Sequence, residues 1–187
     1  MIVGSLLPLM LFIFPLWNIT LEAPQYPEPL AMDIWINKVT DHNPNDIKNI
    51  NLMNHYIGMK DVPTDLIEFK IFPIVIMVMA VLGVLIGIIG KRKLYLTWGI
   101  VMLILGVAGM YDFYLWLYDY GHNLNPNAAI KIPGQGYMPP LLGAKSILNF
   151  NAISLPMTGA YFLIIGITLS FVAFFRAQKE IKKVYYS

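Results

Sequence analysis

The sequence predicts an all-α membrane protein in which four transmembrane helices carry an external cap of extended and loop segments with one short β element. Three observations point there. Hydrophobic residues fill 57% of the 187 positions and charged residues only 13%, with a mean hydropathy of +0.61. The apolar residues gather in four runs, and the basic residues gather at the boundaries of those runs.

The runs are Met1 to Trp17, Ile71 to Gly90, Leu94 to Tyr118 and Pro156 to Phe175. Each of the last three holds about 20 residues or more, which at about 1.5 Å of rise per residue crosses a hydrocarbon core of about 30 Å. The first is marginal because it contains Pro8 and Pro15 and has no basic flank, and a signal peptide is the alternative reading. After Trp17 the chain reads Asn18-Ile19-Thr20-Leu21-Glu22-Ala23-Pro24 without a small-x-small cleavage pattern, so the run is expected to remain as an anchor.

Charge orients these spans. The turn Lys91 to Lys93 and the stretch Arg176 to Lys183 hold seven of the thirteen basic residues, so that turn and the basic tail 176–187 are expected in the cytoplasm. Both termini then lie inside, and the segments Asn18 to Lys70 and Asp119 to Leu155 lie outside. The outer segment 18–70 carries eight acidic residues against four basic ones.

Within that first outer segment, Pro24, Pro27 and Pro29 impose an extended path. Met32, Ile34 and Ile36 alternate with Asp33, Trp35 and Asn37, the period-two pattern of a half-buried strand. Asp41-His42-Asn43-Pro44-Asn45 reads as a turn. If the stretch after Ile50 forms a helical turn, His55 and Met59 share a face at i and i+4. The second outer segment has Pro133-Gly134, Pro139-Pro140 and Gly143 and no sustained periodicity, so it reads as a loop over the bundle mouth. Its Tyr137, Leu141, Leu142, Ile147, Leu148 and Phe150 argue for order and for packing on the first outer segment.

The third span ends in Tyr111-Asp112-Phe113-Tyr114-Leu115-Trp116-Leu117-Tyr118-Asp119-Tyr120-Gly121-His122. Interfacial belts account for Tyr and Trp. They do not account for Asp112, because a carboxylate beside the hydrocarbon is costly unless it is paired, protonated or facing water. The residues Asp112, Asp119 and Tyr118 are candidates for a structural polar network, with Asp119 a candidate to orient an imidazole.

All three histidines, His42, His55 and His122, fall outside the spans on one side. That distribution argues against a transmembrane b-haem, whose axial histidines project into the bilayer. The chain has no cysteine, which removes thiolate metal sites and c-type haem attachment. Thioether and imidazole together suit Cu(I). The candidate metal ligands are therefore His55, Met59 and His122, with Met53 and Met138 as weaker partners and copper as the candidate cofactor. The competing reading is a purely structural network of Tyr, Asp and His. No phosphate-binding glycine loop, hydrolase triad or zinc-peptidase motif is present, and no outer basic patch supports nucleic-acid binding.

Four blocks carry a resemblance: Ala23-Pro24-Gln25-Tyr26-Pro27-Glu28, Asn54-His55-Tyr56-Ile57-Gly58-Met59-Lys60, Gly109-Met110-Tyr111-Asp112-Phe113-Tyr114 and Tyr118-Asp119-Tyr120-Gly121-His122-Asn123. Together they resemble a family of small bacterial inner-membrane proteins associated with nitrous oxide reductase clusters of the Bacteroidota type. The chain departs from the pattern at Pro29, Gln135 and Met138. The resemblance implies a non-enzymatic accessory role at the bacterial inner membrane, in maturing or supplying copper to an external copper enzyme such as nitrous oxide reductase. Its expected partners are membrane lipid and a periplasmic copper protein or other membrane subunits. The rival expectation is a structural or assembly subunit of a larger membrane complex with no metal site.

Overall fold

A computed structural model describes residues 1–130 and 136–185, with side chains through position 179. Pro133, Gly134 and Gln135 lie outside the described residues, as do the side chains of Lys182 and Lys183. The fold is mixed α/β, which corrects the all-α expectation. A five-stranded antiparallel sheet forms the cap, and among the described residues three helices, not four, are long and apolar enough to cross a membrane.

The first apolar run explains the missing helix. It forms α1 (Ile2–Leu6) and then a 3-10 helix (Leu7–Phe12). Pro8 has no N–H to continue the α ladder and its ring crowds the carbonyl four residues back, so the α-helix stops and tightens. Eleven residues reach only about 20 Å, short of a hydrocarbon core of about 30 Å. The segment is nonetheless packed. Ile2 abuts Gly87, Ser5 abuts Gly83, and Gly4 lies against Gly166 and Leu169, close approaches that any Cβ on those glycines would block.

The end of the same run enters the sheet. Strand β1 (Trp17–Glu22) buries Trp17, Ile19 and Leu21 and turns Asn18, Thr20 and Glu22 outward. The prolines follow it, in the connection to β2 (Leu30–Ile34), and β3 (Val39–Asp41) completes that half. Helix α2 (Asp46–Ile57) begins where Asp41 Oδ1 accepts the Ile47 N–H at 2.7 Å, while buried Asp46 accepts the Ala31 and Asn43 N–H groups at 3.0 and 2.9 Å. Helices α3 (Glu68–Ile89) and α4 (Arg92–His122) then form a hairpin. Trp98 locks it by donating from Nε1 to the Met79 carbonyl at 2.9 Å, in an apolar core with Leu11, Ile76 and Met102.

The second outer segment, read as a loop throughout, ends in a β-hairpin. Its strands are β4 (Gly143–Ile147) and β5 (Phe150–Pro156), and α5 (Thr158–Tyr185) leaves directly from it. The strand order is β3-β2-β1-β5-β4, so the two outer segments meet at the centre of the sheet through the β1–β5 pair, with Ile19 opposite Ser154. Trp17 Nε1 donates to Ser154 Oγ across this pair at 2.8 Å.

The sheet, α2 and the C-terminal third of α4 share one core built on Ile19, Met32, Ile50, Leu117, Tyr120 and Tyr137. At 31 residues α4 is about 46 Å long, more than a hydrocarbon core of about 30 Å requires. Its surplus turns stand inside the cap.

Candidate functional site

Glycine sets the geometry where α4 ends. Gly121 lets the backbone of Met138 pass directly over the helix, and Gly136 does the same beside the His122 ring. The crossing segment is fixed there by the Tyr137 N–H, which donates to the Gly121 carbonyl at 2.8 Å. His122 then finishes the helix through Nδ1, which donates to the Tyr118 carbonyl at 2.9 Å, and its ring stacks on Tyr118 with centroids 4.2 Å apart. An imidazole at a helix C-terminus satisfies an otherwise unpaired carbonyl and complements the helix dipole.

The neighbouring polar groups bind cap to helix. Asp119 is exposed and pairs with Lys60 Nζ at 2.8 Å, while Asn123 Nδ2 donates to its other oxygen at 3.2 Å. The hydrogen bond from Lys60, helped by Asn123, holds the Asp119 carboxyl below its ordinary range. Buried Asn54 donates from Nδ2 to the Tyr120 hydroxyl and to the Lys60 carbonyl. Burial in the cap core pushes the Tyr120 phenol well above its ordinary range. Phe113, Trp116 and Tyr120 stack in succession up this face of α4. On the opposite face Tyr111, Tyr114 and Tyr118 remain exposed. Asp112 is half-buried and takes part in none of the ion pairs among the described residues.

The residues expected as metal ligands do not share one face. Helix α2 ends at Gly58, whose φ of 82° only glycine adopts freely, and the Met59 N–H turns back to the Asn54 carbonyl. Met59 therefore lies beyond the helix and enters the cap core, while His55 stays exposed on α2 with its ring at 71° to that of Tyr56. His122 is held by Tyr118, and Asp119 is turned to Lys60 and Asn123 rather than to an imidazole. Among the described residues no group of three or more His, Asp or Glu side chains is placed to hold a metal ion. His42 pairs with Asp33 on the outer face of the sheet at 3.0 Å.

A different grouping emerges inside the cap. Met32, Met53 and Met59 line one small apolar cavity of about 20 Å³ together with Asn54, Tyr120, Tyr137 and Phe150. The three methionines come from β2, α2 and the turn after α2. Nothing in their spacing along the chain signals that they converge, although Met53 and Met59 were individually visible as candidate donors. Tyr137 is 1% exposed and its hydroxyl has no hydrogen-bond partner among the described residues. Compared with protein-family models, with curated proteins and with solved structures, the chain finds no match in any of the three.

Proposed function

We propose that this chain is a non-enzymatic accessory protein of a bacterial inner membrane, acting as an assembly subunit that presents a rigid α/β cap at the outer face. The observation that carries this reading is the fusion of cap and membrane helix into one core. Leu117 and Tyr120 of α4 are buried among residues of the sheet and α2, so the cap is held at a set height and rotation above the bilayer. Lys60, Asp119, Asn54 and Tyr120 fasten that joint with bonds inside the chain.

Native gels of mildly solubilised membranes test it. The tagged chain should migrate well above its own 21.2 kDa, and Asn54→Leu, which loosens the joint, should shift it toward the single chain. Wild-type protein running as a lone chain would reject the assembly reading.

Copper handling for an external copper enzyme such as nitrous oxide reductase is the second reading. The presence of three methionines in the lining of one cap cavity favours it, because thioether donors suit Cu(I). The resemblance in the four sequence blocks points the same way. Metal analysis of the purified protein under reducing and oxidising conditions tests it, and copper should appear only in the reduced sample.

A further inference from the structure

We infer that the cap core holds a single Cu(I) ion on the thioethers of Met32, Met53 and Met59. This rests on the copper reading and gives it a location different from the imidazole set that the sequence suggests.

Four features of the cavity converge. Three of its lining residues carry thioethers, Met32 and Met59 being buried and Met53 half-buried. Soft neutral thioethers suit a soft monovalent cation and offer little to Zn²⁺, Mg²⁺ or Ca²⁺, which take imidazole, thiolate or oxygen. Its size of about 20 Å³ admits one ion or one water and no organic cofactor.

Its wall also suits a cation. Tyr120, Tyr137 and Phe150 are among its lining residues, and an aromatic ring attracts a desolvated positive charge that lies over its face. The Tyr137 hydroxyl is the buried side-chain polar group without a partner among the described residues. Such a group costs free energy while it stays unpaired.

Finally, there is a way in. Met53 is the methionine nearest the surface, and its sulfur accepts a hydrogen bond from exposed Gln25 Nε2 at 3.5 Å. Gln25 sits among the prolines of the β1–β2 connection, so exchanging this weak contact for a metal leaves the sheet pairing intact. Met53 would receive the ion and Met32 and Met59 would hold it deeper.

The test uses the full chain in detergent, kept anaerobic and titrated with Cu(I) against a chromophoric Cu(I) chelator. Wild-type protein should bind one ion per chain, and X-ray absorption should show sulfur neighbours without imidazole scattering. Met32→Leu, Met53→Leu and Met59→Leu should each weaken binding about 10-fold or more. Melting curves should change little, because leucine roughly conserves methionine's volume. Met53→Leu is the decisive variant, since its half-buried position spares the fold. Copper that stays bound in all three leucine variants, or that is lost instead in His55→Ala or His122→Ala, overturns this site while leaving copper handling in place. Wild-type protein that takes up no Cu(I) overturns both.

Discussion

Asn54 on α2 and Tyr120 on α4, 66 residues apart, are joined by a buried hydrogen bond from the amide to the phenol oxygen. One partner belongs to the cap and the other to the helix that runs down into the membrane. The bond therefore adds a directional link between α2 and that helix to the apolar core they already share.

Removing the two partners should not cost the same. Tyr120→Phe takes away an acceptor but leaves Asn54 Nδ2 its bond to the Lys60 carbonyl, so the loss should be about 1 kcal/mol. Asn54→Leu leaves both the Tyr120 hydroxyl and that carbonyl without their donor, and should cost about 2 to 3 kcal/mol. Thermal melts in detergent, followed by near-ultraviolet circular dichroism, would rank them. The reverse order would mean that the bond does not hold the cap.

The raised phenol of Tyr120 makes stability fall in alkali. In the unfolded chain a tyrosine loses its proton near pH 10, while burial keeps Tyr120 protonated in the folded chain. The folded state then binds the extra proton, and its advantage, fully present below about pH 10, declines as pH rises further. Melting temperature should drop above that pH, and Tyr120→Phe should flatten the drop.

A Cβ at Gly121 would run into the backbone of Met138. Gly121→Ala should therefore force the 136–138 crossing off the helix and cost about 1 to 3 kcal/mol, as overpacking of a closed core does. Proteolysis reads it directly, since the second outer segment of the variant should be cut faster than that of the wild type. Equal protection in both would show that the crossing can shift freely.

Orientation is testable with single cysteines, because the chain has none of its own. Leu142, 64% exposed in the cap, is one site. Arg92, at the opposite end of α4 from the cap, is the other. A membrane-impermeant maleimide should label Leu142→Cys on intact spheroplasts and Arg92→Cys only after permeabilisation. The opposite pattern would place the cap in the cytoplasm and remove an external role.

Some of this architecture was written in the sequence and some was not, for reasons that can be traced to particular residues. The runs that became α3, α4 and α5 are legible because hydrocarbon thickness sets a length that composition alone can meet. The first run misled through length as well. Its end, Trp17, is apolar enough to count toward a span, yet it opens β1, so the alternation of Trp17, Ile19 and Leu21 runs on directly from the apolar run with nothing to mark where it starts. In β5 the pattern is inverted, with Ala152 and Ser154 fully buried and Leu155 exposed. No period-two hydrophobic signal survives there, and pairing with β1 on one side and β4 on the other makes the strand. The site divides along the same line. Sequence alone picked out donor types, since thioether and imidazole without thiol restrict the metal chemistry wherever the residues lie. Which donors meet was decided by tertiary structure, because the left-handed turn at Gly58 separates Met59 from His55 and carries it into the core beside Met32 and Met53.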